Sequence, residues 1–456
     1  MISLQLFILS LPLAILFVLA NRNHAWLEML PSIFWYFFIS LPFIFLVNFL
    51  DGYFLVVQFI GILIISLSLM VSDFVGMQTF KSSNINFRSA EKWIPSKSRK
   101  RLLVAVIISF LLAIPVIHIM TTHTFPISQI FFSHSGGFDL ADARQKFTKG
   151  AQLPLLYEVL IAWYIPLLST LGIYLLWRLG YRLFSFISFI YIALYSIVGL
   201  EKVPFVFLIF SLLISFVYRY RSKIKLQKHV IVGITGILFL LTSIGQLYVS
   251  QVNRDNNFIN SSEYESSKLL GYLTPSDTYR FDVRPNTNIP GPILGLTYRT
   301  VLTPIDVSFR FYQYYYFESV NDRNWFDIVT SREEPKGTNL VGRWAFTDRF
   351  PSKYTKYIDA YTSIDADSYS IYGLFGILFA GLLLIALRIC FSVLRFKTEF
   401  SSFAYGLSIS YLSFMPFQSG VTSILLSKGL LALLFLSWVS GKFPKGINSI
   451  GNIIFR

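Results

Sequence analysis

The sequence predicts an all-α polytopic membrane protein with one large polar insert, and three observations carry that prediction. Hydrophobic residues make up 54% of the chain and charged residues only 14%, with a mean hydropathy of +0.59. A water-soluble globule does not need so apolar a composition. Apolar runs long enough to cross a bilayer recur along most of the chain. One polar stretch, residues 249–368, interrupts them late in the sequence.

An apolar helix of about 17–25 residues spans the hydrocarbon core. Eleven segments qualify, at about 2–20, 31–49, 53–72, 102–120, 154–177, 183–200, 203–218, 229–248, 370–388, 401–417 and 421–438. The chain thus divides into three parts. Residues 1–248 hold about eight membrane helices, with a basic cytoplasmic loop at 74–101 and an outer loop at 121–153. Residues 249–368 form a large extracytoplasmic loop, and 369–456 hold about three more helices. The opening stretch MISLQLFILSLPLAILFVLANRN has neither a basic start nor a small-residue cleavage site, so it reads as a first membrane helix.

Lys and Arg set the expected orientation. One series of alternate loops holds Arg22, the basic run from Lys81 to Arg101, Arg178 and Arg182, and the run from Arg219 to Lys228. Arg388, Arg395, Lys397, Lys442, Lys445 and Arg456 continue it. By the positive-inside rule these loops face the cytoplasm, which puts the N-terminus outside and the C-terminus inside. The loop at 74–101 also suits contact with anionic lipid. The formal charge of +15 is explained by these loops and does not indicate a nucleic-acid partner.

The single Cys390 excludes an intramolecular disulfide and a multi-cysteine metal site. His24, His118, His123, His134 and His229 all lie outside the long polar loop and lack metal-ligand spacing. Metal catalysis and a histidine base in that loop are therefore not expected.

The long loop is not a linker. In Ser308–Phe317 aromatic and aliphatic residues recur at helical spacing, which predicts short amphipathic helices lying on the membrane. Thr303-Pro304-Ile305-Asp306 reads as a helix start, with Thr as cap, Pro first and Asp in the first turn. From there Asp306, Arg310 and Gln313 share one face, with Arg299 just before the cap. The loop also carries Arg254, Arg280, Arg284, Arg323, Arg332, Arg343 and Arg349. A guanidinium stays charged and grips phosphate oxygens in pairs, so it can stabilise a diphosphate leaving group without a metal. A solvated face with ordinary ion pairs is the other reading of the same pattern.

Smaller signals lie elsewhere. Glu201-Lys202 sits in a tight turn between two apolar runs, as a phosphate ligand or as a lysine snorkelling to the headgroups. Glu158 and Lys428 fall within spans, where charge is costly and faces a cavity or a partner. In Ser135–Gln145, Asp139 and Asp142 are similar to the acidic first-loop motif of lipid-dependent glycosyltransferases, or mark a plain loop helix, and Arg144 follows them.

Taken together, the chain resembles the Wzy family of oligosaccharide repeat-unit polymerases, which make O-antigen, capsule and related surface glycans. The resemblance covers most of the chain as topology. It rests on Phe138–Lys149 with its Asp-Ala-Arg, Gly199–Pro204, Tyr298–Leu302 with the aromatic helix through Phe317, and Ile364–Gly376 with its Tyr-Gly-x-x-Gly. Lys202 stands where many relatives would have arginine.

The resemblance implies a GT-C-like architecture and glycosyl transfer on the outer face of the cytoplasmic membrane, with no cofactor and no metal. The donor is a glycan on undecaprenyl diphosphate and the acceptor a repeat unit on the same carrier. It implies Arg299 as the stabiliser of the leaving group and Asp306 or Asp282 as the group that orients or deprotonates the acceptor hydroxyl. Lys202, Arg310, Arg144, Arg284, Arg280 and Tyr314 complete the substrate- and diphosphate-binding set. Implied partners are membrane lipid, a chain-length regulator and a flippase. Three other classes compete: a lipid-linked oligosaccharide flippase, which has short outer loops and pseudo-repeats; a ligase, which uses a loop histidine; and another polyprenyl-linked glycosyltransferase, with a C-terminal soluble domain.

Overall fold

The computed structural model describes residues 2–23, 25–46, 54–82, 97–123, 147, 155–198, 202–219, 229–240, 243, 303–317, 363–395, 399–417, 425 and 429–442. The described residues are almost all helical and include no strand. Among the described residues, six helices are long and apolar enough to cross a membrane: Leu4–Asn23, Trp26–Ile44, Phe54–Gln78, Ser98–Thr122, Val159–Arg178 and Ile364–Leu394. The protein is thus an all-helical membrane protein. The expected spans at 183–200, 203–218, 229–248 and 421–438 contain shorter apolar helices, at Arg182–Ser196, Val206–Ser215, His229–Leu240 and Leu430–Ser440.

The chain forms two compact units, each drawn from separated stretches of sequence. Unit 1 comprises Met1–Ser83, Ser222–Ser392 and Leu412–Ser423; unit 2 comprises Asn84–Arg221, Val393–Tyr411 and Ile424–Arg456.

In unit 1, α1 (Ile2–Asn23) packs along α4 (Phe54–Ser82). A composite helix packs with both. It is built from a 3₁₀ turn (Trp26–Met29), α2 (Leu30–Trp35), a π turn (Tyr36–Ser40) and α3 (Leu41–Leu46). Pro42 follows the π turn and has no amide hydrogen to continue a regular ladder. This helix is almost wholly buried, and Trp35 Nε1 donates to Ser66 Oγ on α4 at 3.1 Å. By contrast α1 exposes Leu4, Phe7, Leu11, Ile15 and Val18, spaced three or four residues apart. Such a stripe belongs against lipid.

The helix Ile364–Leu394 bends where Tyr372 (φ −139°, ψ 26°) and Gly373 (φ 60°, ψ −142°) leave helical geometry. Only glycine takes that second conformation cheaply. The break separates residues 364–371, all buried, from a longer apolar stretch that exposes Phe375, Leu378, Phe379 and Leu382.

The sequence assigns Arg388 and Arg395 to a cytoplasmic loop; Arg388 instead lies inside a helix, and Arg395 directly follows its end. The helix runs on to Leu394, and both arginines are fully buried. Arg388 pairs with Glu28 and lies 4.0 Å from Asp73 Oδ1. Asp73 Oδ2 accepts from Ser32 Oγ at 2.5 Å and from Ser32 N–H at 3.2 Å. A charge inside a span is tolerated when its partner is buried beside it.

Among the described residues, unit 2 holds α5 (Lys97–Thr122), α6 (Leu155–Trp163), α7 (Thr170–Arg178), α8 (Arg182–Val198), α9 (Lys202–Arg219), α13 (Glu399–Ser413, apart from its last two residues) and α14 (Leu430–Lys442). Helices α10 (His229–Leu240), α11 (Thr303–Phe317) and α12 (Ile364–Leu394) belong to unit 1, apart from the last residues of α12. A π turn at Tyr164–Ser169 joins α6 to α7, and Pro166 within it again lacks a donor. The core of the unit includes Leu111, Tyr164, Ile173, Leu176, Ile192, Tyr195 and Leu208. Tyr164 donates its hydroxyl to the Leu111 carbonyl, and Tyr174 stacks on Phe403 at 3.8 Å. The Arg395 guanidinium lies 4.5 Å from the centre of the Tyr405 ring.

Candidate functional site

The polar insert folds a helix where its spacing predicts one. Helix α11 begins at Thr303, with Pro304 as its second residue. Its Pro304, Ile305, Val307, Ser308, Phe309, Phe311, Tyr312 and Tyr315 are buried. Its aromatic face packs on α4 and the Tyr36–Ser40 turn within unit 1. Phe309 stacks on Phe43 with ring centres 5.9 Å apart.

Beneath that apolar contact runs a polar seam. Gln58 Nε2 donates to Ser308 Oγ at 3.1 Å. One helical turn further on, the Tyr312 hydroxyl donates to Asp365 Oδ2 at 3.2 Å. The Tyr312 ring stacks on Tyr369 at 4.6 Å, one turn after Asp365. Gly61 makes this approach possible: a Cβ there would overlap the Tyr312 hydroxyl and come within 2.8 Å of Ile377 Cδ1. Burial, and then the neighbouring Asp365 carboxylate, hold the Tyr312 hydroxyl protonated well above the usual tyrosine range. Tyr312 therefore keeps the proton it donates to Asp365.

Asp365 opens the short helix before the Gly373 break. It is completely buried and accepts hydrogen bonds from Ser363 Oγ, the Ala366 N–H and Tyr312. Asp367 is 5% exposed, and its N–H donates to the Ser363 carbonyl at 3.1 Å to start the helix. These donors hold the Asp365 carboxyl in place. The oxygens of Gln58 (Oε1) and Ser368 (Oγ) are also buried, with no hydrogen-bond partner among the described residues.

The residues singled out from the sequence fall unevenly. Arg299, Asp282, Arg280, Arg284 and Arg144 lie outside the described residues. Asp306, Arg310 and Tyr314 have described backbone on α11, but their side chains lie outside the described set. By helical register, positions 306, 310 and 313 lie on the side of α11 away from Ser308 and Tyr312. Lys202 is the first residue of α9, and Glu158 lies in α6; their side chains, and all of Lys428, are outside the described residues.

Sequence reasoning missed Gln58, Gly61 and Asp365. Ser363 followed by acids at 365 and 367 was a readable helix-start signal. No sequence pattern marks Gln58 and Gly61, because they gain meaning only from a helix some 250 residues away. Among the described residues no group of acids, histidines or cysteines is placed to hold a metal ion. No family model, curated protein or solved structure matches the chain.

Proposed function

We propose that this chain is a polymerase of the Wzy type, joining oligosaccharide repeat units carried on undecaprenyl diphosphate at the outer face of the cytoplasmic membrane. In this reading the chain crosses the membrane eleven times. The polar insert lies outside, and the architecture is GT-C-like.

One observation supports the reading above the rest. Helix α11 is clamped to the membrane helices through Ser308 and Tyr312, and its opposite face carries Asp306 and Arg310. Catalysis on a lipid-linked diphosphate needs an arginine and a carboxylate held rigidly next to the bilayer, and a clamped helix supplies such a mount.

The chemistry is a single displacement. The acceptor's sugar hydroxyl attacks the anomeric carbon of the donor glycan, forming the new glycosidic bond. The bond from that carbon to the diphosphate oxygen breaks, and undecaprenyl diphosphate leaves. Asp306 or Asp282 takes the hydroxyl proton. Arg299 stabilises the departing charge, with Lys202, Arg310, Arg144, Arg280 and Arg284 holding the phosphates and Tyr314 the sugar. No metal takes part.

The test is the surface glycan of a host lacking this chain, complemented with wild type, Arg299→Ala, Asp306→Asn or Arg310→Ala. Loss should collapse the ladder to a single repeat unit on its final acceptor, and the variants should fail to restore length. A surface with no repeat unit at all would instead indicate a flippase or a ligase.

A further inference from the structure

We infer that the buried Glu28–Asp73–Arg388 cluster of unit 1 is a proton-binding site: Asp73 takes up and releases one proton, and Ser32 links it to a small polar-walled cavity. The site is independent of the polymerase reading.

The charges do not balance without that proton. Glu28, Asp73 and Arg388 are each no more than 1% exposed. Two carboxyl groups share one guanidinium among the described residues, so full ionisation leaves one negative charge inside unit 1. A buried charge without compensation is costly, and one bound proton removes it. Geometry says which carboxyl takes it. Glu28 holds Arg388 twice, through its carboxylate and through its carbonyl oxygen, which accepts from Nη2 at 3.3 Å. Asp73 Oδ1 is 4.0 Å from the same Nη2 and accepts no hydrogen bond among the described residues. The guanidinium belongs to Glu28, and Asp73 is the surplus acid.

The other ionisable groups on the elements packed with α4 lie elsewhere. Helix α1 contributes only Arg22, which is exposed. The composite helix adds only Tyr36, whose hydroxyl is 2.8 Å from Ser10 Oγ. Helix α11 meets α4 at Gly61, twelve residues and about 18 Å from Asp73. On α12, Asp365, Asp367, Tyr369 and Tyr372 come at least sixteen residues before Arg388, and Cys390 is exposed. Lys81, eight residues further along α4, has its side chain outside the described set.

Ser32 supplies the route. Its hydroxyl donates to Asp73 Oδ2 at 2.5 Å, and its N–H donates to the same oxygen at 3.2 Å. Ser32 also lines a cavity whose wall includes Tyr36, Ser40 and Ser66. About 10 Å3 there is open to the centre of a water molecule, which is room for about one water. A proton carried in on water joins Ser32 Oγ as the hydroxyl hydrogen passes to Asp73 Oδ2. Release runs the same steps backwards.

The test uses the full-length protein in detergent, and none of its readouts depends on glycan synthesis. The infrared difference spectrum between wild type and Asp73→Asn at neutral pH should show the C=O band of a protonated carboxylic acid. The folded cluster then binds a proton that a solvated aspartate has released, so stability falls as pH rises. Between about pH 5 and pH 9 the wild-type melting temperature should drop by several degrees, and Asp73→Asn, which keeps an oxygen for Ser32, should be flatter. Glu28→Gln leaves one carboxylate for one guanidinium, so the band should vanish with Asp73 still in place. Ser32→Ala should keep the band but slow its shift on transfer to heavy water several-fold. No Asp73-dependent acid band, or equal melting slopes in wild type and Asp73→Asn, overturns the proton site. A band that persists in Glu28→Gln overturns the charge count. A melting temperature that follows sodium at fixed pH gives the surplus charge to a metal cation and overturns the proton. An unslowed shift in Ser32→Ala overturns the Ser32 route.

Discussion

The Tyr312 hydroxyl donates to the Asp365 carboxylate at 3.2 Å, tying a helix of the polar insert to the start of the next membrane helix, 53 residues later. Both groups are buried, so neither can exchange its partner for water without opening the contact.

Tyr312→Phe keeps the stacking on Tyr369 and removes only the donor. A buried hydrogen bond to a charged group contributes about 1.5–3 kcal/mol. The variant should melt several degrees lower than wild type in detergent. An unchanged melting temperature would mean that Asp365 is satisfied by Ser363 and the Ala366 N–H alone.

Gly61→Ala places a methyl group where the Tyr312 hydroxyl sits. Tyr312 must then swing away from Asp365, so this variant should be at least as destabilised as Tyr312→Phe. The double variant should cost less than the two singles added together, because both act on the same contact. Additive losses in a melting series would sink that account.

Arg388→Ala leaves Glu28 buried without its guanidinium. Breaking one side of a buried pair costs about 3–5 kcal/mol, so the variant should express poorly or aggregate. Pairing it with Glu28→Gln should recover much of the folded yield, since the stranded charge is then gone. Fluorescence size-exclusion traces of wild type and the two variants would show this, and no recovery in the double variant argues against the pair.

Gly373→Ala forces a side chain into the conformation that breaks α12. The strain is about 1–3 kcal/mol. The expected result is a lower melting temperature, together with shorter glycan if the buried 364–371 segment shifts beneath α11. A wild-type melt and full-length glycan would show that the break is not needed.

Much of the architecture was legible because lipid imposes a simple rule. Each span must hide its backbone in a helix and offer apolar side chains, and both requirements leave long hydrophobic runs in the sequence. The start of α11 was legible for a local reason, since Thr303, Pro304 and Asp306 together write a helix start. Arg388 was misread because a charge at the end of an apolar run looks like a loop unless its partner is visible, and Glu28 lies 360 residues away.

By itself, then, the sequence determined that this is an all-helical membrane protein with a polar insert late in the chain, because burial in lipid is a composition rule read residue by residue. Only the tertiary structure decided that α11 docks through Ser308 and Tyr312, that Asp365 is its anchor, that Gly61 makes room for it, and that Asp73 meets Ser32 and Arg388. Those are pairings between distant positions, and hydrogen-bond geometry and close packing select them only once the chain has folded.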